Sequence, residues 1–146
     1  MKRYGWIAPA AFLADRGVKL LWDRIPAGGR VLIPGILGLY PARNTGMAFS
    51  LFSGSPWIPG VLGILVTAAA LLLLRGRTLR GMTAAGLMMM LGGAAGNLTD
   101  RLLTGSVPDM FELLFVRFAV FNLADACLVA GCGLVIIDLF TGDRHG

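Results

Sequence analysis

The stretch "MTAAGLMMMLGGAAGNLTDRLL", residues 82–103, has no charged side chain before Asp100 and consists largely of Ala, Gly, Leu and Met. A helix needs about 20 predominantly apolar residues to cross the hydrocarbon layer of a bilayer, which is roughly 30 Å thick. The stretch meets both requirements. It therefore predicts a membrane-spanning helix whose polar end, from Asn97 onward, lies near one membrane surface.

The rest of the chain is similarly apolar. Of its 146 residues 56% are hydrophobic and 14% charged, and the mean hydropathy is +0.75, which is far too apolar for an ordinary soluble domain of this size. Three more apolar segments, at about 4–22, 57–74 and 118–140, join 82–103 as predicted transmembrane helices. We expect residues 1–146 to form a single integral-membrane domain.

Between the first two predicted spans, residues 23–56 have a different composition. They are rich in Gly and Pro, and their apolar runs are too short for a spanning helix but suit strands. This segment predicts an extramembrane β-rich flap. The predicted fold class is therefore an all-α membrane protein with four transmembrane helices and a small β-rich cradle between helices 1 and 2.

The positive charge indicates membrane topology rather than binding of nucleic acid. The net charge is +5, but the cations are scattered among apolar segments without a basic stripe and interleaved aromatic residues. Arg75, Arg77 and Arg80 lie in one short turn, and Lys2 and Arg3 are expected on the same side. This bias predicts that both termini are cytoplasmic, although the opposite loops also carry arginines.

The first apolar segment resembles a signal peptide only superficially, because Asp15, Arg16 and Lys19 lie in its second half. We predict an uncleaved spanning helix. Asp15 and Lys19 are four residues apart, so they share a helix face and each neutralises the other near the membrane boundary.

Cys127 and Cys132 are five residues apart in one apolar run. On a helix they point about 140° apart, which predicts two buried small hydrophobic side chains rather than a disulfide. His145 is the single histidine, so the sequence offers no histidine-based metal cluster.

Two quartets carry acids into the predicted spans: "NLTD" at 97–100 and "NLAD" at 122–125. In each quartet the Asn precedes the Asp by three residues, which places both on one helix face. Because the third and fourth helices are antiparallel neighbours, the quartets should meet at comparable depth. Asp125 is expected about two turns inside its helix, and an ionisable residue there indicates a functional site.

Carboxylates that meet at one membrane surface favour sharing a proton, which is the chemistry of an aspartic protease pair. Asp100, Asp109 and Asp125 are the candidates. An ion-coupled transporter or channel subunit would need acids near the middle of the membrane, whereas these cluster at one end. A metal-dependent lipid phosphotransferase would need more acids and cations here. A noncatalytic scaffold remains the fourth possibility.

Four blocks of sequence identify a family resemblance. They are "DRGVK" (15–19), "NTGMAFSLF" (44–52), "GGAAGNLTDRLLTGSVPDMF" (92–111) and "FNLADACLVAG" (121–131). In this order they resemble lipoprotein signal peptidase, or signal peptidase II, over nearly the whole chain. The resemblance implies a multi-pass aspartyl endopeptidase of the bacterial inner membrane with a periplasmic β-cradle and active site. It also implies cleavage of prolipoprotein signal peptides before a diacylglyceryl-modified cysteine, without metal or cofactor.

By that resemblance the catalytic pair is Asp109 and Asp125, and Asp100 with Asp125 is the alternative. Asp109 follows Pro108 in the expected loop between the third and fourth helices. Asp100 precedes Arg101 directly, which suits a charge-neutralised structural network.

The resemblance also assigns supporting positions. Asn44 and Arg101 resemble positions that contact the substrate or peptide inhibitors, whereas Asn97 and Asn122 resemble amides that orient the carboxylates or bind the substrate backbone. The flap at 44–52 is expected to cover the scissile bond, and apolar grooves between helices to take the diacylglyceryl tails. The expected partners are the lipidated prolipoprotein and membrane lipid, and the protein is expected to be a monomer.

The chain departs from the family at one place. The stretch from Asp109 to Asp125 is short and lacks the Trp and Pro expected before the last motif, and Pro108 replaces an aliphatic residue. These departures concern the loop that closes over the substrate, because every acid and amide of the motifs is present.

Overall fold

The fold is known from a computed structural model that describes residues 2–45, 58–73 and 81–142. The predicted basic turn at 75–80 and the part of the flap from 46 to 56 lie outside these residues. The described helices and strands, in chain order, are α1 (Ile7–Lys19), β1 (Arg30–Ile33), β2 (Leu37–Asn44), α2 (Ile58–Leu73), α3 (Gly81–Thr104), β3 (Val107–Leu113) and α4 (Leu123–Gly142). Short 3-10 turns form at Lys2–Tyr4 and Trp22–Arg24.

Helix α3 is the centre of the helical bundle and packs against α1, α2 and α4. Small residues allow this close packing. A Cβ atom on Gly93 would lie 2.5 Å from the carbonyl oxygen of Ala124 in α4, and one on Gly92 would collide with the carbonyl oxygen of Ala8 in α1. Any larger residue at these two positions would push the helices apart, as expected where helix association depends on close backbone packing.

The three strands form one antiparallel sheet in the order β1-β2-β3. In its register Ala42 of β2 is opposite Asp109 of β3, and the pairing is irregular between Leu39 and Ala42. The third strand comes from the connection between α3 and α4. The prediction that the cradle lies between the first two helices is therefore incomplete, and Asp109 lies on a strand rather than in a loop. Pro108 concealed this strand, because a proline without an N–H usually marks a turn.

The helix boundaries partly match the prediction. The third helix agrees with 82–103 to within one residue at each end, whereas α1 has 13 residues and is about 20 Å long, shorter than the predicted 4–22. Helix α4 begins at Leu123 instead of about 118, because Phe121 bridges to Phe111 of β3. Within the described ranges, Leu123–Thr141 is the one helical stretch whose length and hydropathy match a bilayer crossing.

Both cysteines lie on α4. Both are free, as predicted, but Cys132 is exposed and Cys127 only half-buried, so the prediction of two buried side chains is wrong. Exposed Val129 and Phe140 share this helix. The sequence could not distinguish such a surface from a packed one, because residues that face lipid and residues that face protein are similarly apolar.

Candidate active site

Asp109 lies at the middle of the site with its carboxylate held by two amides. It is 2% exposed on β3. Asn44, the last residue of β2, donates to Asp109 Oδ2 at 3.0 Å, and Asn122 donates to Oδ1 at 2.6 Å. The sheet register places Asn44 opposite Val107, two residues before Asp109, so the β2–β3 pairing itself brings the first amide to the carboxylate.

Asp125 lies in the first turn of α4, not two turns inside it, and forms a capping box with Asn122. Its backbone N–H donates to Asn122 Oδ1 at 2.9 Å, and the Asn122 N–H donates to Asp125 Oδ2 at 3.2 Å. Such reciprocal bonds satisfy two N–H groups that a helix start leaves without partners. The local chemistry of "NLAD" therefore starts the helix and fixes the direction of the Asp125 carboxylate.

Two asparagines connect the acids. The Asn122 amide nitrogen that donates to Asp109 also lies 3.1 Å from Asn97 Oδ1, and Asn97 Nδ2 donates to Asp125 Oδ1 at 2.7 Å. Asn122 thus hydrogen-bonds to both Asp109 and Asp125. The two quartets do meet, as predicted, but they meet through their asparagines.

Burial and a like charge raise the pKa of Asp109 to about 6. Burial is the larger cause and the nearby Asp125 carboxylate the second, whereas the amides of Asn44 and Asn122 and the charge of Lys19 act in the opposite direction. A carboxyl group with this pKa can hold a proton near neutral pH. Asp109 can therefore carry a proton at a pH at which an ordinary carboxyl group is ionised.

The raised pKa of Asp109 predicts a pH-dependent stability. Because the folded-state pKa of about 6 exceeds the ordinary 3.8, the contribution is fully present below about pH 4 and is lost as pH rises through about 6. Going from about pH 7.5 to about pH 5 should raise this group's contribution to the free energy of unfolding by about 1 kcal/mol. Unfolding in detergent at the two pH values measures it.

Asp109→Asn should remove this part of the pH dependence. Asp23→Asn, the same change at an exposed carboxylate outside the site, is the matched control and should keep the wild-type slope. An Asp109→Asn protein with the full wild-type slope would show that another group titrates in this range.

Next to the site, a cluster of four charged side chains joins α1 to α3. Lys19 Nζ lies 2.8 Å from Asp15 Oδ2 and 2.6 Å from Asp100 Oδ2, and Arg16 also pairs with both carboxylates. The predicted Asp15–Lys19 pair is confirmed. Asp100 belongs to a charge-neutralised network, as expected, but its cations come from α1 rather than from its neighbour in sequence.

This cluster touches the site at two points. Lys19 Nζ is 3.2 Å from Asn97 Oδ1, on the amide that bonds Asp125. Asp15 Oδ1 accepts the backbone N–H of Ala124, in the first turn of α4, at 3.0 Å. The charges of α1 therefore help to hold both the amide and the helix start on which Asp125 depends.

A cavity of about 620 Å³ opens beside Asp125. Asn44, Asn97, Arg101 and Asp125 line its polar end, and Arg101, which is buried, donates to the Asn97 carbonyl oxygen at 3.3 Å. Its remaining wall is mainly apolar and includes Gly63, Leu113, Phe121, Leu128, Val129 and Ala130. An apolar cavity with polar groups at one end is the usual form of a small binding site.

Sequence reasoning missed two residues here. Arg16 pairs with two carboxylates, and the signal available for it was a cation within an apolar segment. Trp22 donates its indole N–H to the Asp109 carbonyl oxygen at 2.9 Å, and no motif marks it. Among the described residues, no group of three or more His, Cys, Asp or Glu side chains is placed to hold a metal ion.

Comparisons of the sequence and of the structure each find similar proteins over most of the chain. The sequence model of signal peptidase (SPase) II matches residues 7–141. Proteins named lipoprotein signal peptidase are 36% identical in Parasynechococcus marenigrum, over 96% of this chain and 92% of the relative, and 36% identical in Lactiplantibacillus plantarum, over 77% and 75%. Two solved structures described as bacterial membrane enzymes superpose with TM-scores of 0.80 and 0.79, at 25% and 26% identity, covering 99% and 95% of this chain and 91% and 93% of theirs.

Proposed function

The chain belongs to the signal peptidase II family, aspartyl peptidases that cleave signal peptides from prolipoproteins, and we propose that Asp109 and Asp125 are its catalytic pair. The observation that carries this assignment is that Asn122 bonds to both acids. Its side-chain nitrogen donates to Asp109, and Asn122 and Asp125 exchange two hydrogen bonds at the start of α4. Asp100, the alternative partner, is instead paired with Arg16 and Lys19.

In this mechanism a water molecule attacks the peptide bond while the two carboxyl groups, which share one proton, act as general base and general acid. The ionised carboxylate takes a proton from the water, whose oxygen attacks the scissile carbonyl carbon, while the protonated carboxyl group donates to the carbonyl oxygen. The tetrahedral intermediate then breaks its C–N bond, and the leaving nitrogen takes up the proton that came from the water. The other carboxylate takes a proton from a hydroxyl group of the intermediate, which restores the carbonyl group and the starting state of the pair. The amides of Asn44, Asn97 and Asn122 keep the two carboxylates in place through these proton transfers.

The proposed substrate is a prolipoprotein whose cysteine carries diacylglycerol, cut just before that cysteine. The cavity supports this, because its polar end reaches Asp125 while its apolar wall follows α4 past Leu128 and Val129. Acyl chains in that wall would place the peptide bond beside the acids. Attachment to lipid would also concentrate the substrate in the plane of the membrane.

We further propose that residues 1–146 form one peptidase domain with four transmembrane helices in the bacterial inner membrane. The site and the cradle would face the periplasm, and the protein would act as a monomer. The exposed apolar side chains of the helices, for example Leu65 on α2 and Val129 and Phe140 on α4, support contact with lipid. The short α1 would cross with its charged end, at Asp15 and Lys19, near the outer surface.

Two matched substrates test the proposed function in detergent: one prolipoprotein with and one without the diacylglyceryl group. We expect the wild type to cleave the lipidated form before its cysteine and to leave the other nearly intact. Cleavage should persist with a chelator. Equal cleavage of both forms would contradict the lipid requirement, and loss of activity with chelator would favour metal chemistry.

A cavity variant tests where the lipid binds. Ala130 is exposed and lines the cavity. Ala130→Phe should therefore raise KM for the lipidated substrate severalfold, because the larger side chain would occupy space along the apolar wall. Ala10→Phe, the same change at an exposed alanine of α1, should leave KM unchanged. An equal effect of both variants would exclude this wall as the lipid site.

A further inference from the structure

The peptide group that follows Asp109 is held by hydrogen bonds at both of its ends. Its carbonyl oxygen accepts the indole N–H of Trp22 at 2.9 Å, and its N–H, on Met110, donates to the carbonyl oxygen of Phe121 at 3.0 Å. These partners come from opposite parts of the chain. Trp22 lies just after α1, and Phe121 lies just before the Asn122 cap of α4.

This peptide group matters because it is bonded directly to the Asp109 Cα atom. Its plane fixes a backbone rotation at that atom and so helps to set the direction of the Asp109 side chain. Asn44 and Asn122 hold the far end of that side chain. With the backbone held by Trp22 and Phe121, the carboxylate is constrained from both directions, as a catalytic group must be to within about 0.5 Å.

Trp22 is itself held in place by a residue of the sheet. The guanidinium carbon of Arg43 lies 4.5 Å from the centroid of its ring. Arg43 is opposite Pro108 in the β2–β3 register, so the arginine comes from the strand segment that pairs with the residues around Asp109. A cation over an indole face is a favourable contact even when exposed. The indole therefore has a fixed position from which to donate.

We infer that Trp22, oriented by Arg43, is a positioning residue for the catalytic carboxylate of Asp109. This inference rests on the proposed function, since it requires Asp109 to react. The alternative role for Trp22 is that of an aromatic ring at the membrane interface, where Trp is common. The two roles differ in the N–H group, because a membrane contact needs the ring and the positioning of Asp109 needs the donor.

Trp22→Phe keeps a ring and removes the donor. We expect kcat for the lipidated prolipoprotein to fall about tenfold, the size of one lost hydrogen bond expressed at the transition state, while KM stays within about twofold. The pH at which kcat is half-maximal should also shift, since the Asp109 carboxyl group loses part of its orientation. Arg43→Gln should lower kcat less, and adding it to Trp22→Phe should lower kcat little further.

Trp6→Phe is the matched control, because Trp6 is 67% exposed and lies at the opposite end of α1 from Lys19. It should keep the wild-type kcat and pH profile. Unfolding midpoints of all variants in detergent separate a loss of folding from a loss of rate. Wild-type kcat in a folded Trp22→Phe protein, or equal losses in both Trp variants, would overturn the inference. An inactive wild type, or an active Asp109→Asn protein, would instead defeat the proposed function.

Discussion

Replacing Asp109 or Asp125 by asparagine is expected to lower kcat for prolipoprotein cleavage by about a thousandfold or more. Asparagine keeps the shape of the side chain but can neither take a proton from water nor return one to the leaving nitrogen. Because the proposed mechanism uses the two acids as a unit, the double variant should be no slower than either single variant. Cleavage of a purified, lipidated substrate in detergent, at matched folded protein, measures the effect.

Asp100→Asn is the control for this experiment, since it makes the same change at a carboxylate paired with Arg16 and Lys19. The folded fraction of this variant should cleave at a rate much closer to wild type. A thousandfold loss in folded Asp100→Asn, together with an active Asp109→Asn protein, would transfer the catalytic role to Asp100.

Lys19→Met is expected to destabilise the folded chain by about 3 kcal/mol. The Lys19 side chain is 5% exposed and bonds Asp15, Asp100 and Asn97. Methionine has a similar length but no charge, so two buried carboxylates would be left with Arg16 as their remaining cation in the cluster. Breaking a buried ion pair on one side costs much more than the pair contributes. Equilibrium unfolding in detergent measures the change.

A second substitution separates charge from packing. Adding Asp15→Asn to Lys19→Met removes one unpaired charge and should restore part of the stability, although the bond to the Ala124 N–H is weakened. Arg24→Met, at an exposed cation beyond α1, should change the free energy of unfolding by less than about 0.5 kcal/mol. A Lys19→Met protein as stable as wild type would mean that the cluster contributes little.

Local features of the sequence predicted local features of the structure. The charge-free run before Asp100 predicted α3 almost to its ends, and the four-residue spacing predicted the Asp15–Lys19 pair. The three-residue spacing of "NLAD" placed Asn122 and Asp125 together. In the two pairs the interacting groups lie within about one helical turn, where spacing alone decides proximity.

Contacts between distant segments were less predictable. Nothing in the spacing showed that Asp100 would meet Arg16 and Lys19, or that residues 107–113 would join β2 as a strand. These pairings depend on how the helices pack, and apolar periodicity does not report which face meets which neighbour. The preference for Asp109 over Asp100 likewise came from family resemblance.

The capping box at the start of α4 affects the choice of an inert enzyme for trapping a bound substrate. The Asp125 carboxylate is one half of that box. Asp125→Asn keeps an acceptor oxygen but removes the negative charge near the helix N-terminus, so it would weaken the helix start together with the chemistry, by less than about 1 kcal/mol. The Asp109 carboxylate lies on β3 and takes no part in this helix cap. An uncleaved complex is therefore best captured with Asp109→Asn, in which α4 and the Asn122 cap keep their native bonds to each other.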